Sequence, residues 1–315
     1  MIDDILTKAQ NDFDLEPEDI AELLAVPLFS MDAGRLQAAA RLKSRKASLN
    51  YAEVHACVGG QPSSPSGETK TGREMVKNLA RQFEREGANA VYVGYCADEV
   101  FDDFIGLSRE IRQALRPETV MVAAVGDFSE TQAKALKDSG YKGVHLTIRF
   151  GATDDIARIG AWCDIARTAD LLPGVCLEGV GKDAANDVLV SDMIMIRDAE
   201  PVVSAVARYD PMSAASMHEE ERITAARLTH IMAVMRLTMY GDVSGVGMHD
   251  AGVVGAVAGA NLIWATAVSS VLETESAPRR GLTVSAGREI FYDAEWRVFD
   301  KPSLCYGGTA LEDLG

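Results

Sequence analysis

The sequence has few cysteines and contains none of the short motifs that identify a catalytic or binding site by themselves. Its five cysteines (Cys57, Cys96, Cys163, Cys176 and Cys305) lie far apart, without a CxxC pair or a Cys/His ligand spacing. Neither a disulfide framework nor a structural zinc site is therefore indicated, and we expect reduced thiols. The chain also has no GxSxG elbow, GxxxxGK[ST] phosphate loop or HExxH helix, which excludes the commonest ready-made active sites.

Positive charge and long apolar runs are scarce as well. The chain has 31 basic and 47 acidic residues and a formal charge of -16, which would repel nucleic acid and anionic membrane surfaces. No stretch reaches the roughly 18 apolar residues of a membrane span, and Met1 to Asp14 is acidic and amphipathic, unlike a secretion signal. We expect a cytoplasmic protein that binds neither nucleic acid nor membrane.

What the sequence does contain is a regular alternation of short apolar runs and longer amphipathic ones. With 315 residues, 47% of them hydrophobic, it can bury one large core. The alternation favours βαβ units, so we predict an α/β fold, a (β/α) TIM-type barrel, with a doubly wound open sheet as the alternative. The eight predicted strands are residues 49–58, 90–94, 120–125, 143–148, 173–178, 201–207, 236–240 and 260–264.

Three parts of the chain can be predicted. Residues 1–48 are expected to form a helical brace, because Glu16-Pro17-Glu18-Asp19 places carboxylates in the first turn of a helix. Residues 49–268 form the barrel. Residues 269–315 are a C-terminal extension whose aromatic residues are too many for a solvated tail in a chain that is 6% aromatic. We expect it to pack on the barrel or on a partner subunit.

Candidate catalytic residues follow from the rule that barrel enzymes carry function on the loops after the C-terminal ends of their strands. Arg149 follows an apolar strand, where its guanidinium suits a carboxylate ligand or a structural ion pair. Glu178 ends the next strand and could transfer a proton, and Gly179 allows close backbone approach or a plain tight turn. His249 is the one histidine taken as a candidate, because His218 and His230 have no ligand spacing. No metal site is predicted from these residues.

Several short segments occur in a fixed order along the predicted strands. In that order they resemble the radical S-adenosylmethionine enzymes of the biotin synthase and methylornithine synthase group, over roughly Ile5 to Trp264. The resemblance implies a barrel fold, S-adenosylmethionine as the possible cofactor, and cofactor-binding roles for Cys57, Gly94, Tyr95, Gly179 and Tyr209. The segments that carry it are Val91-Tyr92-Val93-Gly94-Tyr95-Cys96, Leu136-Lys137-Asp138-Ser139-Gly140, residues 173–182 (with Lys182 where the family has an acid), Ala207-Arg208-Tyr209-Asp210-Pro211-Met212 and Ala258-Gly259-Ala260-Asn261.

The resemblance fails at the motif that holds the iron–sulfur cluster in this family. There, the first strand leads into CxxxCxxC, whose three thiolates bind the cluster. In this chain Cys57 keeps the first position, but Gln61 and Ser64 stand at the other two. An amide and a hydroxyl do not provide the soft donors that iron–sulfur clusters require. We therefore expect no [4Fe–4S] cluster and no radical cleavage of S-adenosylmethionine.

Two functional hypotheses remain. In the first, the protein is a cluster-free barrel that binds a small molecule, either S-adenosylmethionine or an amino-acid-like or cofactor-like metabolite, in a biosynthetic pathway. If it is an enzyme, it would be a non-radical transferase or lyase. In the second, it is a pseudoenzyme, a non-catalytic paralogue that pairs with an active radical S-adenosylmethionine enzyme; a homodimer is also open. An open mouth lined by Cys57, Tyr95, Arg149, Glu178 and Tyr209 would favour the first, and a mouth plugged by residues 59–72 the second.

Overall fold

The computed structural model describes residues 2–59, 70–95, 100–208, 223–248, 252–266 and 282–309, with only the backbone described at 70–71 and 155–156. Eight parallel strands form a closed barrel, because β1 pairs with β8 on one side and with β2 on the other. The TIM-type barrel is thus confirmed and the open sheet is wrong. The strands are β1 (Tyr51–Gly59), β2 (Ala90–Gly94), β3 (Val120–Val125), β4 (Gly143–Arg149), β5 (Leu172–Val180), β6 (Val203–Arg208), β7 (Gly245–Met248) and β8 (Leu262–Thr266).

Helices surround the barrel, and the first three precede it in the chain. α3 packs along α9, and α2 packs against α8 and α9. α3 has a defined start, since the hydroxyl of Ser30 accepts the Ala33 N–H at 3.1 Å. Among the described residues no helix is long and apolar enough to cross a membrane. The helices are α1 (Ile2–Gln10), α2 (Pro17–Ala25), α3 (Met31–Ala47), α4 (Lys70–Glu86), α5 (Phe101–Ala114), α6 (Glu130–Asp138), α7 (Thr153–Thr168), α8 (Asn186–Asp198), α9 (Ala225–Thr238), α10 (Gly252–Val257) and α11 (Val284–Asp293).

The seventh strand was predicted in the wrong place. Residues 236–240 are not a strand: they begin within the last turn of α9, which is buried on all sides from Leu228 to Thr238 and is therefore apolar without a helical stripe. The strand is β7, whose glycines resemble a loop in the sequence. A Cβ at Gly247 would lie 2.2 Å from the Trp264 indole, so glycine is needed there to admit a large neighbour.

The side chains of each strand alternate between two apolar layers. On β1, Val54 and Val58 belong to the outer layer between strands and helices. Cys57 packs instead against the inner cluster that fills the barrel, together with Tyr92 and Trp264. Glu53 and His55 share the parity of Cys57 and are also fully buried. The inside of this barrel is therefore partly polar.

The segment Arg297–Thr309, which we call the strap, closes the N-terminal end of the barrel. It begins with a short strand, β9 (Arg297–Val298), which pairs in parallel with the start of β1. It is then held by Asn89, whose side-chain amide donates to the carbonyls of Phe299 and Lys301 at 3.1 and 2.7 Å. From there the strap enters the barrel.

The strap fills space that barrel side chains leave empty. TIM-type barrels usually fill their interior with side chains from the strands themselves. Here the inner positions Gly143 and Gly174 have no side chain, and the ring of Tyr306 occupies the gap. A Cβ at Gly143 would lie 2.3 Å from that ring, and one at Gly174 would lie 2.2 Å from its hydroxyl. Tyr306 is consequently part of the barrel core and is fully buried.

Candidate ligand-binding site

The mouth of the barrel is the end where the eight parallel strands finish. Its described residues follow from strand parity and register: Cys57 is aligned with Thr266, Thr147 with Cys176 and Arg149 with Glu178. Most of the side chains that point inward at this end are small. The residues of the mouth are Cys57, Gly94, Ala124, Thr147, Arg149, Cys176, Glu178, Ala207 and Thr266.

Arg149 and Glu178, two predicted site residues, lie side by side at the rim of the mouth. They are direct partners on β4 and β5, and both side chains are exposed. The N–H of Phe150 donates to the carbonyl of Glu178 at 2.7 Å, which ties the two strand ends together. A guanidinium and a carboxylate on adjacent strand ends complement a ligand that carries both a carboxylate and an ammonium group.

The predicted glycines shape the backbone at the rim. Gly179 has a φ of +82°, and the pairing of β5 with β6 shifts register between Leu177 and Val180. This is a bulge whose conformation requires glycine. On the other side, Gly94 lies opposite Gly59, where a Cβ would be 3.3 Å from the Gly94 carbonyl oxygen. Both sites leave the backbone accessible at the strand ends.

The side chain of Tyr95 does not line the mouth. Its ring packs against Phe101 and Phe104 of α5, with centroids 5.9 and 5.1 Å away, in the outer layer. Its backbone N–H stays at the strand end and donates to the Ala124 carbonyl at 3.0 Å. The other two predicted residues, Tyr209 and His249, lie outside the described residues, as do residues 60–69.

Two of the described cysteines, Cys57 and Cys176, lie at the mouth. Cys57 is half-buried, and burial raises the pKa of its thiol to about 12. Burial also raises the pKa of Cys176. Within the described ranges no three His, Cys, Asp or Glu side chains are grouped as metal ligands. In the sequence, Gln61 and Ser64 stand at the other two motif positions, and neither provides the thiolate that an iron–sulfur cluster requires.

A buried polar network lies directly beneath the mouth, and the sequence reasoning missed it. His55 Nε2 lies 2.7 Å from a Glu53 carboxylate oxygen, and His55 Nδ1 lies 3.2 Å from Tyr92 Oη. The Tyr92 hydroxyl donates to Tyr306 Oη at 3.1 Å. The signal that could have found it is the spacing of Glu53, His55 and Cys57, polar side chains on one face of an otherwise apolar strand.

The carboxyl of Glu53 is the acidic group of this network. Burial alone would raise the pKa of this carboxyl, but hydrogen bonds from His55, Ser303 and the Cys305 N–H lower it below its ordinary value. Since an ionised carboxylate only accepts hydrogen bonds, His55 Nε2 carries a proton. Burial raises the pKa of Tyr92 well above 10, so this residue remains a neutral phenol.

Four aromatic side chains form the floor of the mouth. Tyr92 is central: the ring centroids of His55 and His145 lie 5.3 and 5.1 Å from its own, and that of Trp264 lies 6.0 Å away. We call these four residues the floor. Each of the four lies two residues before a mouth residue on its own strand and is almost completely buried, so a ligand in the mouth would rest above them.

Comparison with known proteins agrees with the sequence-based resemblance at the level of the fold. No family model matches this chain, and no curated protein matches it. Among solved structures, methylornithine synthase (PylB) superposes with a TM-score of 0.71 at 15% identity, over 96% of this chain and 98% of that one. The hydrogenase maturase HydG from Carboxydothermus hydrogenoformans gives 0.71 at 13%, over 97% of this chain and 80% of that one.

These similarities show the fold: a closed (β/α) barrel like those of methylornithine synthase and HydG. A further HydG structure, with a TM-score of 0.72 at 15% identity, supports the same fold. Because the superpositions cover at least 96% of the chain, the similarity continues beyond Trp264, where the sequence motifs end. At these identities the comparison establishes architecture, and the function has to be argued from the site.

Proposed function

We propose that this protein is a cluster-free barrel that binds a small amino-acid-like molecule in its mouth, with S-adenosylmethionine as the first candidate. The observation that carries the proposal is that Arg149 and Glu178 are register partners on adjacent strands at the rim. They lie above a layer of small residues and thiols. S-adenosylmethionine meets the requirement because its methionyl part has both a carboxylate and an ammonium group. Other cofactor-like or amino-acid metabolites with these two groups meet it as well.

Each rim residue has a distinct role in this proposal. The Arg149 guanidinium binds the ligand carboxylate, because it stays charged and donates several hydrogen bonds in a fixed geometry. The carboxylate of Glu178 accepts from the ligand ammonium, or takes a proton from the ligand if the protein is a transferase or lyase. The backbone groups exposed by Gly94 and Gly179 provide further polar contacts at the strand ends.

Isothermal titration with S-adenosylmethionine tests this proposal. We expect binding to the wild type and a loss of roughly 10- to 100-fold in affinity for Arg149→Met, because a hydrogen bond to a charged group contributes roughly 1.5–3 kcal/mol. Arg297→Met is the matched control, since Arg297 lies over the Tyr51 ring at the opposite end of the barrel. That variant should bind like the wild type.

Two outcomes would count against the proposal. Equal affinities for Arg149→Met and the wild type would remove the rim as the binding site. A wild type that binds neither S-adenosylmethionine nor related amino acids would favour the second hypothesis, a non-catalytic subunit of an active enzyme. Size-exclusion chromatography with the candidate partner would then be the next measurement.

A further inference from the structure

The strap and the mouth lie at opposite ends of the barrel, yet one side chain connects them. The hydroxyl of Tyr306 in the strap accepts from Tyr92 at 3.1 Å. Tyr92 is also the register partner of Cys57, the half-buried thiol of the mouth. Tyr92 therefore neighbours a strap residue through its hydroxyl and a mouth residue through the pairing of β1 with β2.

A second route runs from the strap to the same side chain. One carboxylate oxygen of Glu53 accepts the N–H groups of Leu304 and Cys305 at 2.9 and 3.2 Å. The other oxygen lies 2.7 Å from His55, whose second ring nitrogen lies 3.2 Å from Tyr92 Oη. Both routes from the strap therefore end on the hydroxyl of Tyr92.

These contacts fix one arrangement of the floor. Glu53, His55, Tyr92 and Tyr306 are each at most 2% exposed, and a buried polar group that loses its partner costs more than an exposed one. The interior is also close-packed, so a displaced Tyr92 ring must displace its neighbours. His145 and Trp264 are those neighbours within the floor.

We infer that Tyr306 and Glu53 are positioning residues for the mouth, and that strap docking and ligand binding are thermodynamically linked through Tyr92. Neither residue contacts the ligand: they hold the floor on which it rests. Linkage is reciprocal, so a ligand that requires the ordered floor also stabilises the docked strap. This inference rests on the proposed function for the ligand, but its effect on the floor can be measured without one.

The test compares wild type, Tyr306→Phe and the control Tyr292→Phe by two measurements. Tyr292 is a surface residue of α11, 75% exposed. The first measurement is titration with S-adenosylmethionine, in which Tyr306→Phe should bind about fivefold more weakly, the equivalent of one lost hydrogen bond. The second is the rate at which iodoacetamide alkylates Cys57, followed by mass spectrometry of its peptide.

The alkylation rate reports on the floor because the thiolate is the reacting form. Burial keeps the pKa of Cys57 at about 12, and a loosened floor admits water and lowers it. We expect Tyr306→Phe to react about fivefold faster than wild type, with Tyr292→Phe unchanged. Should Tyr306→Phe not fold, Ser303→Ala replaces it, since this change removes the hydroxyl that accepts the Tyr306 N–H at 3.3 Å and that also donates to Glu53.

The outcomes separate the two proposals. Wild-type values in both measurements for a folded Tyr306→Phe would overturn the inference. Faster alkylation of Cys57 with no binding of S-adenosylmethionine by any variant would support the positioning role and reject the proposed ligand. Weaker binding together with faster alkylation supports both.

Discussion

Placing an alanine at Gly174 tests whether the strap occupies the inside of the barrel. The added Cβ would lie 2.2 Å from the Tyr306 hydroxyl, 3.0 Å from His145 Nδ1 and 3.3 Å from the Val203 Cβ. The first distance is far shorter than any tolerated contact, so the strap has to move. Overpacking of this kind costs roughly 1–3 kcal/mol. Alanine otherwise suits a strand at least as well as glycine, so a loss of stability would come from the contact with the strap.

A double-mutant cycle isolates the contact between the new methyl group and the strap. Tyr306→Phe removes the nearest atom, and alone it should cost about 1 kcal/mol for the hydrogen bond with Tyr92. In the Tyr306→Phe background, Gly174→Ala should lower the free energy of unfolding by at least about 1 kcal/mol less than it does in the wild type. The reason is that the free-energy effects of substitutions at contacting residues are not additive. Urea denaturation gives the free energy of unfolding of each variant.

The control is Gly126→Ala, because no atom lies within 4 Å of the Cβ that it would add. It should stay within about 0.5 kcal/mol of the wild type. If Gly174→Ala behaves like this control, or costs the same with and without the Tyr306 hydroxyl, the strap does not fill the barrel as described.

Two further predictions concern buried polar groups outside the mouth. Burial and the nearby Arg236 lower the pKa of Lys43 from 10.5 to about 8. Between pH 8 and 10.5 the unfolded chain therefore binds a proton at Lys43 that the folded chain has lost. Lys43 should therefore add about 3 kcal/mol to the free energy of unfolding between pH 8 and 10.5, on top of the opposite pH dependence of the buried thiols. This rise should be absent in Lys43→Met and present in Lys46→Met, an exposed control; denaturation curves that keep the same pH dependence in Lys43→Met would refute the assignment. Asn89→Ala should lower the free energy of unfolding by about 3 kcal/mol, since Asn89 accepts from Val54 and donates twice to the strap; a loss below about 1 kcal/mol would show that the strap is held elsewhere.

The parts of the fold that could be predicted are those in which the sequence pattern and the burial pattern agree. β4 and β5 are short, largely apolar segments because most of their positions are buried on both faces of the sheet. The sequence alone therefore places Arg149 and Glu178 at the strand ends that form the mouth. β7 was missed because its glycines serve a tertiary contact with Trp264, which no local pattern reveals.

The site could be predicted less completely, for two physical reasons. Side chains along a strand alternate between the inside and the outside of the barrel, so an error of one position exchanges the two faces. Gly94 lies on the mouth side, but the ring of the next residue, Tyr95, packs outside the barrel. The partners of Glu53 and His55 come from the strap, about 250 residues later in the chain, as in the Glu53 contact with Leu304. Contacts of this kind depend on the closed barrel, and the strap sequence gives no sign of entering it.

The most direct test of the central claim measures ligand and iron on the same sample. The protein is reconstituted anaerobically with iron and sulfide, desalted, and assayed for both elements and for bound S-adenosylmethionine. We predict that S-adenosylmethionine is bound and that iron and sulfide stay at background. The second result is expected because only Cys57, among Cys57, Gln61 and Ser64, has a thiol to bind iron. Stoichiometric iron and sulfide, with the absorbance of a cluster, would contradict a cluster-free site.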